Sequence, residues 1–164
     1  MRNSILIILL ALASDVFAQG KFASPDLKLL IGKTFSNESE IPRLAGYQSR
    51  GGTMITAIDD PVPLSVSWFS KANSILVFFE QTEPDQKFTI IDVLEIQNAT
   101  TTQEIKAGEC RDGQSDNMGI VAWVQSSSAK RVKAIKAWLF NRDKLRIEAW
   151  PNQNVTCLGM VGDD

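Results

Sequence analysis

The chain has 164 residues, 44% hydrophobic and 22% charged, with 17 basic and 19 acidic side chains giving a net charge of −2, and it contains no histidine. This is the size and make-up of one globular domain, and a balance so near neutral predicts no bulk attraction to nucleic acid or to an anionic membrane. The missing histidine excludes Ser-His-Asp and Cys-His catalysis, histidine-bearing zinc sites and histidine pH switches.

Arg2, the apolar run from Ile5 to Ala13, and Val16-Phe17-Ala18 before Gln19 have the form of a secretory signal peptide. The expected organisation is a signal peptide at 1–18 and a single β-rich domain at 19–164, secreted or periplasmic. The apolar run is too short to span a bilayer, so no membrane association is expected after cleavage. Cys110 and Cys157 are the only cysteines. In an exported chain an even pair reads as one disulfide.

Ser24-Pro25-Asp26 opens a short helix carrying Leu27, Leu29, Leu30 and Ile31 and ending at Gly32. Residues 33–50 lack periodicity and read as loop. A strand is expected over Thr53 to Ile58, ended by Asp59-Asp60-Pro61-Val62-Pro63. Leu64 to Ser70 and Ser74 to Gln81 form a hairpin about Lys71-Ala72-Asn73. Its second arm is apolar on both faces, as a central strand covered on both sides would be. Lys87 to Ile96 follows, with Phe88, Ile90, Leu94 and Ile96 on one face and Asp92 among them. Ile105 to Cys110 is a further short strand, and 111–119 is a loop. Asp112, Ser115, Asp116 and Asn117 offer oxygens there, but without the spacing of a calcium loop.

From Asn117 to Cys157 an Ala-Trp pair occurs three times, at Ala122-Trp123, Ala137-Trp138 and Ala149-Trp150. As a three-stranded meander the segment sorts by parity. One face collects Ile120, Ala122, Val124, Ile135, Ala137, Leu139, Leu145, Ile147 and Ala149, the pattern of a core face. The other carries Val121, Trp123, Gln125, Lys136, Trp138, Phe140, Arg146, Glu148 and Trp150, so it is either a solvent face or a second, wetter layer. The fold class is therefore mostly β, a small antiparallel β-sandwich or barrel with one short N-terminal helix. The alternative is α+β with a helix at 129–140, where Val132, Ile135 and Leu139 share a helical face after Ser126 to Ser128. The turn-like Phe140-Asn141-Arg142-Asp143-Lys144-Leu145 between matched arms favours the strand.

No catalytic motif is present, and no metal or cofactor is implied. The leading functional reading is an exported, non-enzymatic protein that binds a protein or a glycan through Trp123, Trp138, Phe140 and Trp150 with Lys136, Arg146 and Glu148. Flat apolar rings among hydrogen-bonding groups suit a sugar ring or an interface hot spot. The opposing reading is that these rings are buried. A run of basic residues from Lys130 to Arg146 makes this third of the chain locally positive. Asp92, flanked by Ile90 and Leu94, is the one candidate general acid, and with a second carboxylate it would suit a hydrolase. Against that, a β-bulge would let Asp92 find a partner. A barrel carrying an apolar ligand is the third reading.

Overall fold

The structure is a computed structural model and describes residues 23–57 and 59–159. The expected signal peptide at 1–18 lies outside the described residues, as does the C-terminal stretch beyond Gly159. Among the described residues no helix is long and apolar enough to cross a membrane.

The protein is a sandwich of two antiparallel sheets. The helix α1 (Pro25–Lys28) is a single turn, with Leu27 buried and Leu30 just beyond it partly buried, while Leu29 and Ile31 stay exposed. The first sheet contains β1 (Thr34–Phe35), β2 (Gln48–Met54), β3 (Leu64–Lys71), β4 (Ser74–Thr82) and β5 (Phe88–Gln97), in the order β1-β5-β4-β3-β2. The second contains β6 (Gln103–Ala107), β7 (Cys110–Asp112), β8 (Ser115–Asp116), β9 (Ile120–Gln125), β10 (Arg131–Asn141), β11 (Arg146–Trp150) and β12 (Val155–Leu158). Its order is β6-β9-β10-β12-β7-β8, with β11 also paired to β10.

The 129–140 segment is strand, not helix: β10 is the spine of the second sheet, pairing with β9 on one side and with β11 and then β12 on the other. The hairpin β3–β4 forms as expected, and β4 is central and covered on both faces. Ile75, Val77 and Phe79 point between the sheets, and Leu76 and Phe78 point outward under the N-terminal segment.

Four expectations need correcting. The expected strand at 53–58 lies earlier, at β2, and runs through Gly51 and Gly52. A Cβ at Gly51 would stand 2.7 Å from Trp68 Cζ2, so only glycine lets β2 pass that ring. The expected strand from Ile105 to Cys110 is divided into β6 and β7 by Gly108, whose positive φ of 76° turns the chain. In β5, Asp92 pairs with Phe79 while Ile90 pairs with Glu80, so Ile91 is an extra residue. That bulge reverses the alternation: Ile90 and Val93 face outward, Leu94 and Ile96 inward.

The fourth concerns the meander, whose two faces exchange roles. Val121, Trp123, Trp138 and Phe140 fill the space between the sheets. Ile120, Ala122, Val124 and Ala137 face away from it, into a smaller core closed by the curled ribbon of β7 and β12. Large rings suit the gap of roughly 10 Å between stacked sheets, and alanines suit the close approach of the ribbon. Ile147 also faces the inter-sheet core and Trp150 the ribbon, because a four-residue turn separates Asn141 from its partner Arg146 and pairs odd with even numbers. Ile135 stands where the β9–β10 register shifts and is 38% exposed, and Leu145 lies in the turn with φ 49°. Cys110 and Cys157 face each other across β7 and β12 and are bonded, S–S 2.06 Å, as expected. That bond is compatible with an oxidising extracellular or periplasmic location.

Candidate functional site

The expected binding residues do not share one open surface. Trp123, Trp138 and Phe140 are 8, 6 and 1% exposed within the inter-sheet core. Phe140 meets Phe79 edge-on, with ring centroids 5.4 Å apart, a pairing worth about 1 kcal/mol beyond burial. Trp150 lies on the opposite face, its Nε1 donating to Asp112 Oδ2 at 3.1 Å. Lys136 is exposed and holds its Nζ 5.9 Å from the Trp123 ring. Arg146 and Glu148 are paired to each other: Glu148 Oε1 accepts from Arg146 Nε at 2.8 Å and from Lys144 Nζ at 3.0 Å, and Oε2 accepts from Asn141 Nδ2 at 2.9 Å. The Arg146 guanidinium, then Asn141 and Lys144, hold the Glu148 carboxyl down at about 2.

Asp92 has structural work. Its Oδ1 accepts the Val93 amide and its Oδ2 the Ile147 amide, both at 2.8 Å. The bulge at Ile91 turns this carboxylate toward β11, where it links the first sheet to the second. One side of the sandwich is thus closed between β5 and β11.

The opposite side is open. There the terminal strands β2 and β6 flank a cleft of about 660 Å³. All five residues of β6 line it, and β6, the last strand of its sheet, pairs only with β9. At the end of the β6–β9 ladder the Ser126 amide donates to Thr102 O at 2.8 Å. Antiparallel pairs alternate, so Glu104 and Lys106 direct their backbone groups to β9, and Ile105 and Ala107 direct theirs to the free edge. Trp68, partly buried against the core, lines the cleft from β3, and Arg50 lines it from β2 with its Nε on Ser70 Oγ at 2.6 Å. Lys106 Nζ lies 3.6 Å from Glu104 Oε1 at the rim.

Sequence reasoning missed Glu80. It continues the outward Leu76–Phe78 face of β4, is 2% exposed, and takes a hydrogen bond from Ser67 Oγ at 2.8 Å. Burial pushes its carboxyl up to about 7, opposed by the Ser67 hydroxyl, with the negative charge of Glu38 adding to the rise. Ser65, its register partner on β3, contributes weakly in the same sense as Ser67, yet its buried Oγ has no hydrogen bond of regular geometry. The available signal was a lone carboxylate ending an otherwise apolar alternation.

The expected loop at 111–119 contains the paired strands β7 and β8, and three of its candidate side chains have partners: Asp116 pairs with Arg111, Asp112 with Trp150, and Asn117 Oδ1 with the Gly119 amide. Among the described residues no group of three or more Cys, Asp or Glu side chains could hold a metal ion. Comparison with protein-family models, with curated proteins and with solved structures finds no match for this chain.

Proposed function

We propose that the protein is an exported, non-enzymatic binding protein that takes an extended segment of a partner polypeptide along the free edge of β6. Export rests on the signal-like N-terminus and on a disulfide suited to an oxidising compartment, outside the cell or in a periplasm. The observation that carries the binding reading is the cleft lined by every residue of β6, facing a second unpaired edge at β2. An unpaired edge offers a row of donors and acceptors to an added strand, and main-chain bonds then supply affinity while pockets for alternate side chains supply choice. Ile105 and Ala107 would pair with the incoming chain, and Trp68 would receive an apolar side chain from it.

A peptide selected from a displayed random library against the folded domain, followed by amide exchange, tests this. Protection should rise at Ile105 and Ala107, whereas Glu104 and Lys106, already bonded to β9, should change little. Peptides that leave those two amides unprotected would refute edge pairing. A glycan is the second reading, favoured by the partly exposed Trp68 ring among polar side chains. Saturable binding on a glycan array, lost in Trp68→Ala, would establish it instead.

A further inference from the structure

A second cavity, of about 770 Å³, lies on the far side of β2 from the cleft, on the outer face of the first sheet. Its floor is Glu80 with Ser65 and Ser67, and its walls include Phe35, Phe69 and Phe88. Phe35 and Phe88 stand 5.7 Å apart, tilted at 38°. Among the described residues, the only charged side chains lining it are the carboxyl groups of Glu80 and Glu38, with no lysine or arginine. Gly52, which also lines it opposite Ser67, keeps β2 free of side-chain bulk there.

Each feature selects among ligand chemistries. Two carboxyl groups with no protein cation repel anions and favour a positive charge. A buried carboxylate left unpaired by the protein is costly, and a cation from outside removes that cost. Ser65 Oγ is buried without a partner beside Glu80 and can accept one more donor hydrogen. Aromatic walls suit an apolar body and attract a cation to their faces. Hydroxyl and carboxyl oxygens together call for a group with several N–H donors, which a quaternary ammonium lacks.

We propose that this cavity binds a primary ammonium ion carried on an apolar or aromatic body, with the ammonium on Glu80, Ser65 and Ser67 and the body among Phe35, Phe69 and Phe88. Binding requires Glu80 to be ionised, so the ligand displaces a proton to solvent and affinity rises with pH. Glu38, on the neighbouring 3-10 turn, is the charged group acting on Glu80, while β2 and β3 present Ser49, Gly52, Met54, Ser65, Ser67 and Phe69, none of them charged.

The test is titration calorimetry with 2-phenylethylamine and its neutral isostere 2-phenylethanol. The amine should bind saturably at pH 8 and about 100-fold more weakly at pH 5, two pH units below a carboxyl near 7. The alcohol should bind at least tenfold more weakly than the amine at pH 8. Glu80→Gln, which removes a buried charge and should keep the fold, should lose amine binding by more than tenfold, and Glu38→Gln on the rim by a few-fold. Absence of saturable amine binding at pH 8, equal binding of the alcohol, or unchanged binding in a folded Glu80→Gln would overturn the proposal.

Discussion

The Asp92 carboxylate accepts the main-chain amide of Ile147 at 2.8 Å, a side chain of the first sheet serving a strand of the second. β11 pairs with β10 on one side only, so this carboxylate supplies the acceptor that another strand would have given. Asp92→Ala should leave the Ile147 amide short of a partner and cost about 2 kcal/mol. Asp92→Asn should cost less, since its amide oxygen still accepts one bond. Urea denaturation of the two variants measures the difference, and equal stability of Asp92→Ala and the parent would show that the link contributes nothing.

Glu80 predicts a pH dependence with a definite sign. Its carboxyl sits near 7 in the folded chain against an ordinary value of 4.5. Between those values the folded state holds a proton that the unfolded state has released. Stability therefore falls as pH rises from 4.5 to 7, by on the order of 3 kcal/mol in all. Glu80→Gln should flatten this slope and be the more stable protein at pH 8. Parallel curves for the two proteins over that range would rule the assignment out.

Gly51 and Trp68 form a pair in which one residue must lack a side chain. With φ at 152° and a would-be Cβ 2.7 Å from the indole, Gly51→Ala must move either the ring or β2. The expected loss is about 1 to 3 kcal/mol, with a change in tryptophan emission as Trp68 shifts. A Gly51→Ala protein with unchanged melting and unchanged emission would contradict this packing.

The bond between Cys110 and Cys157 closes a separation of 47 residues. Reduction, or the double change to serine, should lower stability by about 4 kcal/mol through the gain in unfolded-chain entropy. It should loosen the ribbon over Ala122 and Ala137 before the inter-sheet core, seen as earlier amide exchange in β7 and β12 than in β4.

Much of this fold was legible as alternation, and the departures share a cause. The β3–β4 hairpin and the two-faced burial of β4 follow from spacing alone, whereas spacing left 129–140 open between strand and helix, and the turn after it favoured the strand. A single inserted residue is invisible to spacing: Ile91 and Ile135 each shift a strand by one, and the four-residue turn before Arg146 does the same across a hairpin. Parity sorted the β9 and β10 side chains into the right two sets, but which set faced the larger core depended on the ribbon, a long-range partner. The site was less legible still. Glu80 interrupts an apolar alternation, but its burial depends on Phe35 to Glu38, distant in sequence, and the cleft includes a backbone edge, which side-chain pattern does not report.

The order of the strands has one more consequence. Every strand of the first sheet comes from residues 34–97 and every strand of the second from 103–158, with a single passage between them at 98–102. Each half can therefore build its hairpins from nearby residues, leaving the meeting of the two halves as the late, slow step. The same arrangement leaves that passage as the link across which halves could be exchanged. Two chains that open there can exchange halves and rebuild both cores, so concentrated refolding should yield an interchanged dimer with the monomer's own contacts.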